Sequence, residues 1–418
     1  MSHTDFTSHD LLSAGAMKAY RAGTHRAVSP AETLQRIEPL FARMGITRIA
    51  NLTGLDRVGV PVISVMRPNS RSLSVSQGKG IDLMAAKVSG AMEAIESFHA
   101  ENIDHPLRLA TYRDLVAQGR PAIDVDRLAR INDGRFHGNL PLLWIEGHDL
   151  VSDAPKWLPY ETVHASYMLP LPSGSGCFVA STNGLASGNS LPEAISHAMA
   201  EIIERDANTL WNQASDGERA RTRVDLDTVD DELCLSVIAS LRAAGLTVGL
   251  WDITSDIGVP AFYALIVDER DGLAHSGAGA GAHPAREIAA LRALTEAVQV
   301  RVNYIAGARD DLEWHEYGPE GIGAKRAFVN RLMSLTHGIG RDFRSIATQR
   351  FGSFAEDIDW MMGCLRAAGV DEMVMVDLTK PAFDIPVVRL VIPGLEGPDD
   401  HADYCKGHRA LAQMREAR

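Results

Sequence analysis

Two segments of this sequence carry the same pattern of carboxylates, and this repeat constrains the fold more than any other feature. In each segment two glutamates lie three residues apart, and a small polar or imidazole side chain stands four residues before the first glutamate. Residues at i, i+4 and i+7 share one helix face, so the pattern predicts two helices that each present an acidic face. The segments read Ser89-Gly-Ala-Met-Glu93-Ala-Ile-Glu96 and His197-Ala-Met-Ala-Glu201-Ile-Ile-Glu204-Arg205.

Composition and charge exclude several classes of protein. The net charge of −13 argues against a general affinity for nucleic acid, because the chain would repel phosphates. The four cysteines are scattered and form no CxxC pair, which disfavours a disulfide framework or a zinc ribbon. No secretory signal is visible, and no apolar run approaches the roughly 20 residues of a membrane span. We therefore expect a cytoplasmic protein that works away from nucleic acid and membranes.

Strand-like and helix-like segments alternate along the chain. Apolar runs at residues 46–52, 246–252 and 261–267 predict strands, and three long helices separate such runs. Two glycine-rich stretches, residues 76–80 and 276–281, are predicted to be loops that precede helices. This alternation indicates an α/β or α+β fold with helices layered on sheets.

The acidic faces have a functional and a purely structural interpretation. Glutamate pairs are common on solvated helix faces, and most have no function. The first acidic face, however, has no Lys or Arg spaced to neutralise it, and the opposite face, with Leu83, Met92 and Phe98, is expected to anchor the helix in a core. Carboxylates on two helices suit Mg²⁺, which takes hard oxygen ligands and usually shares them with nucleotide phosphates. The repeat therefore favours an ATP-using enzyme over a solvated surface.

The second acidic helix repeats the scheme over a longer distance. Ser190 is the predicted N-cap, and Arg205 could pair with a carboxylate or reach a phosphate. The predicted acidic face contains Glu193, His197, Glu201, Glu204 and Asn208.

Three further sets of residues are candidates for ligand contacts. Lys79 stands between two glycines immediately before the first acidic helix, a position that suits anion binding, although the GxxxxGK[ST] spacing is absent. The third helix aligns Arg292, Glu296, Gln299 and Asn303 on one face, as phosphate or base contacts or as a solvated face with an Arg–Glu pair. The tail spacing of His401, Cys405 and His408 could ligate a metal but lacks a fourth ligand.

Together these motifs resemble the YcaO family. The resemblance covers roughly residues 20–392 and follows the order and spacing of that family. The matching motifs are Gly78-Lys79-Gly80, the helix with Ser89, Glu93 and Glu96, Asn189-Ser-Leu-Pro-Glu193, Glu201-Ile-Ile-Glu204-Arg205, Thr295-Glu296-Ala-Val-Gln299 and Gly307-Ala-Arg309-Asp310-Asp311.

The resemblance implies an α/β (α+β) fold of the YcaO ATP-binding type, with mixed sheets layered with long helices that bear acidic faces. It implies ATP and Mg²⁺ as cofactors. The implied metal ligands are Glu93, Glu96, Glu193, Glu201 and Glu204, and the implied ATP contacts are Lys79, Ser89, Asn189, Arg205 and Gln299, with Arg292 and Arg26 as weaker candidates. No catalytic side chain is assigned.

The resemblance also divides the chain into three parts. Residues 1–60 form an N-terminal lead-in with one helix and a strand, residues 61–392 the ATP-binding catalytic domain, and residues 393–418 a C-terminal tail.

Members of this family activate a backbone amide of a peptide by phosphorylating its oxygen, after which a nucleophile attacks the carbonyl carbon. A sulfide donor yields a thioamide, and a Cys, Ser or Thr side chain yields an azoline. Azoline-forming members typically end in a PxPxP tail, whereas this sequence ends Arg409-Ala-Leu-Ala-Gln-Met-Arg-Glu-Ala-Arg418 and shows no fused leader-binding domain upstream. The resemblance to members that work with a TfuA partner favours thioamide formation.

Two alternatives remain, a cyclodehydratase that makes thiazoline or oxazoline and an accessory ATP-binding scaffold without its own catalysis. The expected substrate is a ribosomally made precursor peptide or a protein, the expected partner is a TfuA-like protein, and a homodimer is the default assembly.

Overall fold

The computed structural model describes residues 17–131, 134–268, 276–336, 338, 340–399 and 404–416. Within these residues the chain forms fourteen strands and ten α-helices. The strands are β1 (Arg48–Asn51), β2 (Val62–Met66), β3 (Val75–Lys79), β4 (Leu107–Ala110), β5 (Leu142–Asp149), β6 (Ala154–Pro159), β7 (Leu185–Ser187), β8 (Val224–Asp225), β9 (Thr247–Asp252), β10 (Ala261–Val267), β11 (Gly277–Ala282), β12 (Arg341–Asp342), β13 (Val374–Asp377) and β14 (Val387–Val391). The helices are α1 (Pro30–Ile37), α2 (Leu83–Glu101), α3 (Tyr112–Ala117), α4 (Leu191–Gln213), α5 (Asp216–Arg221), α6 (Glu232–Ala243), α7 (Arg286–Ala306), α8 (Pro319–Ser334), α9 (Phe354–Ala367) and α10 (His408–Glu416).

These elements confirm the predicted mixture of strands and long helices. They belong to two compact units: the first comprises Met1–Ala19, Ile95–Leu210 and Phe351–Arg418, and the second comprises Tyr20–Ala94 and Trp211–Arg350. The division falls inside α2 and inside α4. The predicted domain boundaries at residues 60 and 392 stay predictions.

In the first unit a six-stranded antiparallel sheet carries the core. Its strands run in the order β4-β5-β13-β14-β7, and β6 pairs with β5. Side chains such as Trp144, Leu158 and Val374 are fully buried in this sheet. Strand β7 lies at one edge of this sheet, and helix α4 follows it after a short turn.

In the second unit two three-stranded antiparallel sheets, β1-β2-β3 and β11-β10-β9, pack with helices α6 and α7. A third, parallel sheet pairs β12 with β8. The core of this unit joins the sheets and helices through residues such as Val62, Leu250, Phe262, Leu294 and Phe343. Among the described residues of both units, no helix combines the length and the apolar character that a membrane span requires.

The two glycine-rich stretches are strands, so the prediction of loops was wrong for both. Residues 76–80 largely belong to β3, and residues 276–281 largely belong to β11. In β11, Gly277, Gly279 and Gly281 alternate with alanines and face α7, where an added Cβ would overlap the helix backbone. A Cβ on Gly78 of β3 would likewise overlap the backbone of α2. Glycine is required here because sheet and helix approach closely, which a count of Gly residues cannot distinguish from a loop.

The close approach of α2 to β3 also explains why the prediction for Leu83 of α2 was wrong. Leu83 was expected to anchor this helix, yet it is 39% exposed, whereas Ala86, Ala91 and Ala94 are fully buried. Gly90 of α2 packs against β3, and only small side chains fit that contact. The face of α2 that enters the core is therefore its small-residue face.

Candidate functional site

In the second unit, Lys79 at the end of β3 forms an ion pair with Glu296 of α7. The Lys79 Nζ lies 2.6 Å from the Glu296 Oε2, and both side chains keep about a fifth of their surface exposed. The second oxygen of Glu296 accepts from the backbone N–H of Ala280 in β11 at 3.4 Å. The face of α7 thus contributes a carboxylate to Lys79, and Glu296 does not form the Arg–Glu pair with Arg292 that was the solvated interpretation of this helix.

Glu93 of α2 lies in the same electrostatic environment. Its Oε1 accepts a hydrogen bond from the backbone N–H of Gln77 at 3.3 Å. Desolvation raises the pKa of Glu93, the positive charges of Arg309 and Lys79 oppose this rise, and Glu296 adds to it. A carboxylate that is desolvated and faces two cations has the chemistry of a metal or phosphate environment.

Arg309 is a functional candidate that was not assigned from the sequence. Its Nε donates to the Asp311 Oδ1 at 2.7 Å, and that hydrogen bond is the main cause of its raised pKa, to which Glu93 also contributes. The neighbouring Asp310 accepts from the backbone N–H of Ser74 at 2.9 Å. The Arg-Asp-Asp motif just after α7 was the feature of the sequence that could have identified Arg309. Its proximity to Glu93 was not predictable, because more than 200 residues separate the two in the sequence.

Several buried polar groups of this unit lack hydrogen-bond partners. Among the described residues, no hydrogen-bond partner is present for both side-chain polar atoms of Gln77, the Oε1 of Gln299, the Oδ1 of Asn303 or the Nε of Arg292. Gln77 is 1% exposed and Gln299 is 9% exposed. Because unsatisfied buried polar groups are costly, this set indicates that a polar ligand completes the site. Of these four residues, Gln299 and Arg292 were predicted ATP contacts.

The other two predicted ligand contacts of this unit are Ser89 and Arg26. Ser89 is half-buried on α2, one turn before Glu93. Arg26 forms an isolated backbone bridge with Tyr20, before α1 begins.

In the first unit, Glu96 binds the end of β7. Its Oε1 accepts from both the backbone N–H and the hydroxyl of Ser187, at 2.8 and 2.6 Å. Two residues later, Asn189 donates through its Nδ2 to both carboxylate oxygens of Glu193 at 3.3 Å. The Ser190 hydroxyl accepts from the N–H of Glu193 at 3.4 Å, as expected of an N-cap. The turn from β7 into α4 therefore joins Glu96, Asn189 and Glu193 in one region.

The remaining predicted metal ligands follow along α4. Glu193 and Glu204 are each only 2% exposed, while Glu201 and Arg205 are half-buried. Arg389 of β14 interacts electrostatically with Glu201, and burial lowers the pKa of Arg389 to about 10. A carboxylate of the predicted acidic face of α4 thus lies near a buried cation that was not predicted from the sequence.

No three His, Cys, Asp or Glu side chains within the described ranges are arranged as a preformed metal cluster. Mg²⁺ commonly keeps several waters and binds through one or two carboxylates together with substrate phosphates, so a closed protein cage is not expected. Of the tail motif, His401 lies outside the described residues, and Cys405 is exposed.

Comparison with known proteins identifies a protein family that this sequence matches. Residues 77–396 match the family model described as YcaO cyclodehydratase, ATP- and Mg²⁺-binding. An uncharacterized protein in the tfuA 3′ region of Rhizobium leguminosarum bv. trifolii is 37% identical over 427 residues, which cover 99% of each chain.

Two solved structures share the fold. YcaO from Methanopyrus kandleri, bound with AMPPCP and Mg²⁺, superposes with a TM-score of 0.74 at 24% identity, over 94% of this chain and 98% of that one. A heterocyclase in complex with substrate and cofactor gives a TM-score of 0.75 at 23% identity, over 93% of this chain. The match spans about half of that heterocyclase, 55% of its length.

Proposed function

The chain belongs to the YcaO family, and from this membership we propose that it activates a backbone amide of a peptide or protein with ATP and Mg²⁺. The family model is ATP- and Mg²⁺-binding, which confirms the prediction of both cofactors. In the second unit, the unpartnered polar atoms of Gln77 and Gln299 fit a polar ligand such as a nucleotide. In the first unit, the carboxylates of α4 are of the type that Mg²⁺ prefers.

The proposed metal ligands are the five glutamates Glu93, Glu96, Glu193, Glu201 and Glu204. The proposed nucleotide contacts are Lys79, Ser89, Asn189, Arg205 and Gln299, with Arg292 and Arg26 as further candidates, and we add Arg309 because it acts electrostatically on Glu93. Carboxylates offer the hard oxygen atoms that Mg²⁺ prefers, and lysine, arginine and amide side chains donate to phosphates or bases.

Bound ATP supplies a phosphoryl group to the amide oxygen, which makes the carbonyl carbon electrophilic and turns the oxygen into part of a leaving phosphate. Such chemistry depends on positioning and on compensation of charge more than on a covalent nucleophile of the protein. Lys79 and Arg309 therefore act by stabilising the negative charge of the phosphates. Their acidic partners, Glu296 and Asp311, fix the positions of the two cations.

We propose that the product is a thioamide and that a TfuA-like protein is the partner. The observation that carries this proposal is the relative in the tfuA 3′ region, which aligns with the whole of this chain at 37% identity. A sulfide donor attacks the activated carbonyl carbon, the C–O bond breaks, and phosphate leaves with the former amide oxygen.

The second candidate is an azoline-forming cyclodehydratase, favoured by the description of the family model. In that case a Cys, Ser or Thr side chain of the peptide is the nucleophile. A non-catalytic ATP-binding scaffold is a third possibility, and it predicts nucleotide binding without any product that depends on the carboxylates.

Calorimetric titration of ATP with Mg²⁺ tests the nucleotide site. We expect the wild-type chain to bind and the double variant Glu201→Gln/Glu204→Gln to lose most of its affinity, because the metal loses two anionic ligands. Glu146→Gln, an exposed glutamate on β5, is the matched control and should bind as the wild type does. Equal binding by all three proteins would contradict the assignment of α4.

Mass spectrometry of a peptide co-expressed with the chain and a TfuA-like protein distinguishes the chemistries. A thioamide gains mass because sulfur replaces oxygen, whereas an azoline loses one water. A product that forms equally with Glu201→Gln/Glu204→Gln would favour the scaffold.

A further inference from the structure

The first unit contains a half-enclosed cavity of about 70 Å³ that none of the proposed nucleotide contacts lines. Most of its wall is apolar and comes from β14 and from residues around 128 and 395. Ile202 of α4 and Arg389 of β14 both form part of the wall. Arg389 also acts electrostatically on Glu201, a proposed metal ligand of α4, so the cavity lies near that carboxylate.

Arg389 is a cation in this wall whose guanidinium makes fewer hydrogen bonds than it can donate. The side chain is 3% exposed, and its Nε donates to the Thr162 carbonyl oxygen at 3.0 Å. Its Nη1 has no hydrogen-bond partner among the described residues. Because a buried guanidinium with an idle donor is costly, a ligand that accepts a hydrogen bond there would stabilise it.

Asn183 provides a hydrogen-bond acceptor, in contrast to the donor of Arg389. Asn183 also lines the cavity, and its buried Oδ1 has no partner among the residues that the structure describes, while its backbone N–H donates to the Ser181 hydroxyl at 3.3 Å. The residues of the largely apolar wall thus include one donor and one acceptor without partners.

The charges of the wall disfavour an anion. Glu396 also lines the cavity, and its carboxylate accepts from the Tyr404 hydroxyl at 2.7 Å and from the backbone N–H groups of Gly407 and Ala410 at 2.9 Å. Glu201 acts electrostatically on Arg389, and Glu396 adds a carboxylate to the wall itself. A neutral ligand with both a donor and an acceptor fits better than phosphate or another anion.

We propose that this cavity is a subsite for the peptide substrate, in which Arg389 donates to a backbone carbonyl and Asn183 accepts from a backbone N–H. The apolar wall takes an adjacent aliphatic side chain. This inference rests on the proposed function, because only an enzyme that acts on peptide amides needs to hold a peptide beside its metal-binding helix.

The probe is N-acetyl-leucine N-methylamide, a neutral molecule with two peptide units and one aliphatic side chain. Ligand-observed NMR titration into the full chain should show binding that is about tenfold weaker in Arg389→Leu and in Asn183→Leu, because each removes one buried hydrogen bond. Arg366→Leu, an exposed arginine of the same unit, is the matched control and should bind as the wild type does.

Each other outcome overturns the subsite. Binding of inorganic phosphate in place of the amide would make it an anion site, and binding of neither probe would leave a water-filled cavity. Amide binding that both variants retain would place the probe elsewhere. If Arg389→Leu does not fold, Asn183→Leu decides, since Asn183 is only partly buried. Titration of MgATP into the wild type separates the two proposals, since its failure bears on the nucleotide site and not on the amide probe.

Discussion

Lys79 and Glu296 are paired at 2.6 Å although they are 217 positions apart in the sequence. The pair joins the end of β3 to the middle of α7, and it leaves Lys79 close enough to Glu93 to oppose the raised pKa of that carboxyl. A lysine that contacted only solvent would have no fixed position, whereas Lys79 is held by a carboxylate. This fixed position is the basis on which we propose that Lys79 binds a nucleotide phosphate.

Replacement of Lys79 by Met should weaken MgATP binding about 10- to 100-fold, because a charge-assisted hydrogen bond to phosphate is lost. Calorimetric titration measures the change. Lys87→Met, on α2 of the same unit, is the control and should have no effect. If Lys79→Met lowers the free energy of unfolding but leaves the affinity unchanged, the ion pair is only structural.

Replacement of Arg409 by Met should destabilise the chain by about 3 kcal/mol, because a buried carboxylate is left without its cation. The Arg409 Nε lies 2.9 Å from the Oδ1 of Asp206, which is fully buried two residues after Glu204. Burial raises the pKa of Asp206 to about 6, and Arg409 opposes this rise. Urea denaturation at pH 7 measures the loss, and it should shrink below pH 6 as Asp206 becomes neutral. Arg415→Met, an exposed residue of the same helix, should be silent.

Stability should fall below pH 6.5 because of His164. Burial and, to a lesser degree, the charge of Arg389 lower the pKa of His164 to about 4. A depressed folded-state pKa means that the unfolded chain binds the proton first, so stability is complete above pH 6.5 and decreases toward pH 4 by up to about 1.4 kcal/mol per pH unit. His164→Asn should flatten this slope in denaturation measured from pH 7 to 4.5, and His137→Asn, at an exposed position, should not. Identical slopes in all three proteins would rule out this role.

Alanine at Gly279 should cost about 1 to 3 kcal/mol, because its Cβ would collide with the α7 backbone at Ala293 and Ala297. Gly323→Ala is the matched variant, and it should change the free energy of unfolding in the opposite direction. An added Cβ at Gly323 meets nothing within 4 Å in α8, so alanine should stabilise by about 0.5 to 1 kcal/mol. Thermal denaturation of both variants checks the pair, and equal effects would show that the close contact between β11 and α7 is unimportant.

Local patterns predicted several elements correctly. The third helix, predicted to align Arg292, Glu296, Gln299 and Asn303, spans Arg286–Ala306, and the predicted strands at residues 246–252 and 261–267 are β9 and β10. Glycine was the main source of error, since its role in β3 and β11 depends on a helix that packs over the strand. The sequence alone does not show whether a glycine lies in a loop or at a close contact between a strand and a helix.

The sequence by itself predicted the two acidic helices, because these depend on residue types at helical spacing. The resemblance of its motifs to the YcaO family predicted the family and the cofactors. Only the tertiary structure decided that Glu296 holds Lys79, that Arg309 lies near Glu93, and that Arg389 is buried beside Glu201. Each of these relationships joins residues that are far apart in the chain. Electrostatic interactions and desolvation act through space, so folding must bring such groups together before their charges can influence one another.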